Sequence, residues 1–154
     1  MSLKRQFKTD SSLESKGIVI DYGDARIRIA RAGGANKKFA RILDIKTKPF
    51  RRAIAAGSFD NDRSNTILME VYADTVVLDW ETNVGNDADP KWQKGIDPED
   101  AGVESEKGKL LPVNKDNVMK VFRNLPDLFF DIQQQAQAGA LFRAELDESA
   151  AKNS

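Results

Sequence analysis

The chain of 154 residues contains no cysteine and no histidine. Without cysteine there is no disulfide, no thiolate nucleophile and no cysteine-based zinc or iron–sulfur site. Without histidine the chain lacks the usual general base at neutral pH and the commonest metal ligand. The two absences disfavour catalysis, which would have to depend on carboxylates, lysines or tyrosines.

Long apolar runs are absent as well. No stretch approaches the roughly 20 apolar residues that a membrane span requires, and the start, MSLKRQFK, lacks the apolar core of a secretory signal. Hydrophobic residues make up 40% of the chain and charged residues 31%, which is typical of one globular, soluble domain.

The net charge is zero, but the two signs are unevenly distributed along the chain. Residues 1–56 carry a net charge of +9, and residues 57–108 carry −9. The basic part has three interpretations. It is a face that is solvated or is neutralised by the chain's own acidic part, it contacts another copy of the chain, or it binds nucleic acid. No helix-turn-helix, zinc module or RNP-like aromatic motif accompanies it, which disfavours nucleic acid.

Residues 17–31 have the pattern of a β-hairpin. A β-branched run at 18–20 is followed by the turn residues Tyr22-Gly23-Asp24 and by an alternating segment at 25–31. The alternation places three apolar side chains on one face: Ala25, Ile27 and Ile29. A lone hairpin is marginal in water, so this one should pack on another element.

Helical spacing of apolar residues predicts the remaining elements. The predicted helices cover residues 35–47, 50–56, 63–80, 114–123 and 125–141. The helix at 63–80 has the strongest apolar stripe and should lie in the core. We therefore predict an α+β fold that is mainly α, with an N-terminal β-hairpin packed against a small helical bundle.

A single domain is predicted over residues 17–146. Residues 1–16 are predicted to be a flexible arm, and residues 147–154 a polar C-terminal tail. The segment 82–108 is rich in acidic residues, glycine and proline and has little periodicity, which predicts a long acidic loop. Its two candidate anchors are Trp92 and Ile96.

No motif reaches the standard of a catalytic, cofactor or metal site. The sequence Asp60-x-Asp62-x-Ser64 begins like a calcium loop, but its sixth position is Asn65 instead of glycine. Its twelfth position is Val71 instead of glutamate, so the two aspartates are more simply helix caps. We expect no enzymatic activity, no cofactor and no metal, and a role in binding.

Two adjacent aromatic residues, Phe129 and Phe130, lie about 100° apart around the axis of a predicted helix. Either both belong to a wide core or one of them faces a partner, where an aromatic anchor can supply much of the binding energy. With the basic segment they give the candidate partner-binding residues: Arg41, Arg51, Arg52, Phe129 and Phe130.

Four segments, in their order and spacing, resemble the tail assembly chaperones of long-tailed, siphovirus-type bacteriophages. They are IRIARA at 27–32 with NKKF at 36–39, KPFRR at 48–52, VLDWE at 77–81, and LPVNKDNV at 111–118 with LPDLF at 125–129. Together they extend over most of the chain.

The resemblance implies a non-enzymatic protein that binds the tape measure protein and promotes tail tube assembly around it. It also implies a homo-oligomer that acts in the host cytoplasm during infection and is absent from the mature virion. Many members have an extended form, made by ribosomal frameshifting, that engages the tail tube protein. The tripeptide Ala151-Lys152-Asn153 permits the slippery codons GCA AAA AAC. The alternative is a structural tail-completion or adaptor protein retained in the virion.

Overall fold

The computed structural model describes residues 2–106 and 108–143. The strands are Ile18–Asp21 (β1), Ala25–Ile29 (β2), Val77–Asn83 (β3) and Trp92–Lys94 (β4). The helices are Leu3–Phe7 (α1), Ser11–Lys16 (α2), Lys37–Thr47 (α3), Arg51–Ala55 (α4), Asn61–Thr75 (α5), Lys115–Asn124 (α6) and Pro126–Gln137 (α7), with 3-10 helices at Lys48–Phe50 and Gly139–Phe142. Helices packed with one antiparallel sheet confirm the predicted α+β class.

The strands form one four-stranded antiparallel sheet in the order β1-β2-β3-β4. β1 pairs with β2, with Ile18 opposite Ile29. β2 pairs on its other side with β3, with Ile27 opposite Trp80. The first two strands therefore do not form a separate hairpin on a helical bundle. They are half of a larger sheet, because β3 uses the backbone groups that a lone hairpin leaves unpaired.

The predicted helix 63–80 is wrong in its last part. α5 ends at Thr75, and the chain continues as β3. Val77 and Trp80 are buried on the inner face of the sheet, while Leu78 is exposed. Aliphatic and aromatic residues suit a strand as well as a helix, and the pairing with β2 decides between the two.

The predicted acidic loop at 82–108 contains regular structure. Its middle forms β4, in which Lys94 pairs with Glu81 of β3. Beyond β4, Ile96 is fully buried and forms a β-bridge with Leu111. Ile96 is therefore an anchor, as expected, because burying one large apolar side chain holds the segment against the domain.

The predicted arm at 1–16 contains α1 and α2 within its described residues. Glu14 of α2 is buried and accepts a hydrogen bond from Arg31 Nη1 at 2.5 Å. The Arg31 backbone N–H also donates to the Glu14 carbonyl at 2.9 Å. A buried carboxylate needs such a partner, so α2 is part of the domain and not of a free arm. The predicted tail at 147–154 lies outside the described residues.

The core lies between one face of the sheet and helices α5, α6 and α7. Its largest fully buried side chains are Trp80, Tyr72, Phe122, Phe142, Ile27 and Ile29. The opposite face of the sheet carries charged side chains, and there the Arg26 guanidinium lies 4.0 Å from the centre of the Trp92 ring. Helices therefore cover one face of the sheet, and the other is polar.

Candidate interaction surface

One exposed side of α3 is basic. Arg41, Ile45 and Lys48 are spaced at i, i+4 and i+7, which places them on one side of the helix. All three are exposed, and Ile45 retains 56% of its accessible surface. This side, which we call the basic side of α3, therefore presents Arg41, Ile45 and the C-cap residue Lys48 to solvent, with the exposed Asp44 on the same side.

The neighbouring helix α4 adds two exposed arginines. The Arg51 Nη2 atom lies 2.5 Å from the Asp44 Oδ1 atom of α3. Both partners are mostly exposed, so the pair contributes at most about 1 kcal/mol to stability. Within the described residues, neither Arg41 nor Arg52 takes part in an ion pair. Their charges are therefore available to a partner.

Much of the basic segment is neutralised by the chain itself. The Lys46 Nζ atom lies 3.0 Å from the Glu70 Oε2 atom, and the Lys38 Nζ atom lies 3.8 Å from the Asp74 Oδ1 atom. Both acidic residues belong to α5 in the acidic part of the sequence. The interpretation that the acidic part neutralises the basic part therefore holds for the side of α3 that faces α5.

An apolar groove lies where α3, α4 and the first half of α5 meet. Its volume is about 370 Å³. We call it the α3–α5 groove, and its lining residues are Leu43, Thr47, Ile54, Gly57, Phe59, Asn61, Ser64, Ile67 and Leu68. Ile54 is 45% exposed, so the groove has a large apolar side chain at its opening. None of the lining residues is charged.

Two aromatic rings pack against each other beside this groove. The rings of Phe50 and Phe59 lie 4.9 Å apart, and the Arg63 guanidinium lies 4.6 Å from the centre of the Phe50 ring. α5 begins next to them, where the Asp60 side chain accepts a hydrogen bond from the backbone of the first turn. Asp60 is therefore a helix cap, as predicted from its position before the apolar stripe.

The two adjacent phenylalanines have different environments. Phe129 is 4% exposed, and its ring packs at 4.7 Å from Phe122 and 5.5 Å from Tyr72. It is a core residue, so its prediction as a partner-binding residue is corrected: the inner face of α7 points at α5 and α6. Phe130 is 59% exposed on the same helix and stays a candidate.

The five predicted residues are only partly brought together. Arg41, Arg51 and Arg52 lie on the adjacent helices α3 and α4, whereas Phe130 lies on α7 and does not line the α3–α5 groove. The groove itself was not predicted from the sequence. Its signal in the sequence is weak, because Ile54 is the only large apolar residue among the five residues of α4.

A smaller pocket opens elsewhere on the domain, and its lining includes residues of β2, β3 and α7. It has a volume of about 170 Å³ and lies beside Trp80. Burial raises the pKa of Asp100 at this pocket, and the neighbouring carboxylates of Asp97, Glu99 and Asp24 raise it further. Burial also raises the pKa of Tyr22, whose hydroxyl donates to an aspartate oxygen at 2.6 Å.

Within residues 2–106 and 108–143, no group of three His, Cys, Asp or Glu side chains is placed to hold a metal ion. No helix in the same ranges is long and apolar enough to cross a membrane. Comparison with family models, curated proteins and solved structures gives no match to this chain.

Proposed function

We propose that this chain is a non-enzymatic tail assembly chaperone of the long-tailed bacteriophage type. It binds the tape measure protein, promotes tail tube assembly in the host cytoplasm, and leaves before the virion is complete. The four-segment resemblance suggests this role. The observation that carries it is the uncharged α3–α5 groove next to the basic side of α3.

The groove suits the apolar side of a helix. A dry cavity of about 150 Å³ holds one benzene molecule, so a groove of about 370 Å³ has room for more than one apolar side chain. Helical partners commonly place such side chains at i and i+3 or i+4 into a groove. A tape measure protein, as a long and largely helical chain, offers many segments of this kind.

Basic residues beside the groove would orient the bound helix. Arg41 lies on α3, Lys48 directly follows α3, and Arg52 lies on α4. These two helices form one wall of the groove. Acidic residues on the polar side of a bound helix would be attracted to them. Single contacts of this size are weak, and many chaperone copies along one filament would supply affinity through avidity.

Homo-oligomers are part of the same proposal. Exposed cations such as Arg52 can meet the acidic segment of a neighbouring copy in a head-to-tail contact. Sedimentation at low and at about 1 M salt tests this, because exposed charges are screened at high salt. Dissociation at high salt is expected, and an assembly that is unchanged would contradict the charge-based contact.

The experiment for the main proposal is co-purification with the tape measure protein encoded in the same genome. Ile54→Glu places a charge in the α3–α5 groove and should abolish co-purification. Val19→Glu is the matched control, because Val19 is 47% exposed but lies on the sheet, away from the groove. Equal retention of the partner by both variants, each folded by circular dichroism, would refute the groove as the binding site.

A further inference from the structure

The short helix α1 presents an apolar side that is largely exposed. Leu3 and Phe7 are spaced at i and i+4, which places them on one side of the helix. Leu3 is 73% exposed and Phe7 is 62% exposed, the largest values among the large apolar side chains of the described residues. No residue of α1 is buried. This apolar pair gains little from the folding of its own chain, which is typical of side chains that anchor a partner.

The same segment is strongly basic. Residues 2–8 contain three cationic side chains, Lys4, Arg5 and Lys8, and no acidic one. None of the three takes part in an ion pair within the described residues. The Arg143 guanidinium lies 5.1 Å from the centre of the Phe7 ring and adds a further cation to this surface. A partner for α1 should therefore combine apolar contacts with negative charge.

A cleft with both properties lies beside β3 and β4. Its volume is about 870 Å³, and we call it the acidic cleft. Its lining includes the four carboxylates of Asp97, Glu99, Glu104 and Glu106. Val84, also in the lining, is 49% exposed. The Lys109 Nζ atom lies 4.0 Å from the Glu106 Oε2 atom, whereas the other three carboxylates take part in no ion pair within the described residues.

α1 and the acidic cleft are attached to opposite ends of the sheet. The cleft adjoins the start of β2, because its lining residue Thr82 pairs with Ala25. The segment that carries α1 is fixed beyond the end of β2, where the Arg31 N–H donates to the Glu14 carbonyl at 2.9 Å. β2 alone separates the two by about 13 Å, at roughly 3.3 Å per residue. α1 is therefore not placed in the cleft of its own chain, and a second copy can supply the partner.

We infer that α1 of one copy binds in the acidic cleft of the next copy. Leu3 and Phe7 enter the cleft beside Val84, and the cations of residues 2–8 face its carboxylates. The charges are complementary, because residues 2–8 carry a net charge of +3 and residues 97–110 carry −3. The two surfaces differ and lie at opposite ends, so the contact is heterologous and repeats head to tail. The inference rests on the proposed homo-oligomer and names the contact between its copies.

Sedimentation velocity of the full chain over a range of concentrations tests this contact. Leu3→Ser combined with Phe7→Ser should weaken self-association about tenfold or more, because it removes two anchors. Val19→Ser is the matched control, since Val19 is 47% exposed on β1 and belongs to neither surface, and it should assemble like the unchanged chain. An unchanged chain that stays monomeric throughout, or equal assembly of the double variant, would overturn the inference.

Mixing two deficient variants tests whether the contact is heterologous. Glu99→Lys combined with Glu104→Lys reverses two exposed charges of the cleft and leaves α1 intact, so this variant should also be largely monomeric. Its α1 can still enter the intact cleft of the double serine variant. An equal mixture of the two should therefore form a one-to-one complex and nothing larger. Absence of this complex would refute the pairing of α1 with the cleft.

Two single variants separate this contact from the other proposed ones. Arg52→Glu should weaken self-association less than the double serine variant, and a loss limited to Arg52→Glu would overturn the inference in favour of α4 in the cleft. Ile54→Glu changes the α3–α5 groove, which α1 does not line, and should leave self-association unchanged. Loss of the partner with intact self-association, or the reverse, therefore shows which of the two proposals has failed.

Discussion

Truncating either of the two adjacent phenylalanines should have very different consequences. Phe129→Ala removes a ring that is 4% exposed and packs against two other rings at 4.7 and 5.5 Å. Removing a buried phenylalanine costs about 3–5 kcal/mol, which combines lost burial with the cavity left behind. Domains of this size are stabilised by about 5–15 kcal/mol, so the variant loses a large share of its stability.

Phe130→Ala is the matched control. The side chain is 59% exposed, so its removal should change stability by no more than about 0.5 kcal/mol. Urea unfolding followed by tryptophan fluorescence measures both variants, and the slope of the transition should stay unchanged. The thermal midpoint of Phe129→Ala should fall by about 6–20 °C, at about 2–4 °C per kcal/mol.

Two results would refute this reasoning. Equal losses for the two variants would mean that α7 is not oriented with Phe129 inward. A loss below about 1 kcal/mol for Phe129→Ala would mean that the three-ring packing is not part of a close-packed core. If Phe130 contacts a partner, Phe130→Ala should reduce co-purification of that partner while leaving the unfolding curve unchanged.

Three further predictions concern single residues. Gly34→Ala should lower the free energy of unfolding by about 1–3 kcal/mol, because the new Cβ would collide with the buried Glu14 carboxylate. Gly57 has a similar positive φ but open space where a Cβ would lie, so Gly57→Ala should lower it less when both variants are measured by urea unfolding. Tyr22 and Tyr72 each have a pKa that is raised mainly by burial. The stability that this shift contributes should therefore be fully present below pH about 10 and should be lost as the pH rises above that value. A spectrophotometric titration that shows tyrosinate near pH 10 in the folded protein would contradict this. Burial and neighbouring carboxylates raise the pKa of Asp100, so Asp100→Asn should stabilise the fold slightly at neutral pH. The gain should vanish below pH about 4, where the carboxyl group is protonated in both the folded and the unfolded chain. A lower thermal midpoint of the variant at neutral pH would contradict this prediction.

Sequence patterns predicted the parts of the fold that depend on residues close together in the chain. The period-two alternation identified the buried side chains Ala25, Ile27 and Ile29, and all three are in the core. The predicted helix at 114–123 is α6, and its N-cap is Asn114, whose Oδ1 atom accepts from the Asn117 N–H at 2.9 Å.

Contacts between distant parts of the chain were missed. The run from Val77 to Trp80 suits either a helix or a strand, and only its pairing with β2, some 50 residues earlier, makes it a strand. The ion pair between Glu14 and Arg31 and the bridge between Ile96 and Leu111 are non-local in the same way. The α3–α5 groove belongs to this class, because three separate elements line it and none of them shows it alone.

The proposed chaperone role has one direct test, which also separates it from the alternative of a structural tail protein. The proposal implies that the chain is encoded by a phage, so quantitative mass spectrometry should compare cells infected with that phage with its purified mature particles. The proposal predicts abundant protein in the cells and none above background in the particles. Recovery from the particles in a fixed ratio to the tail proteins would contradict it.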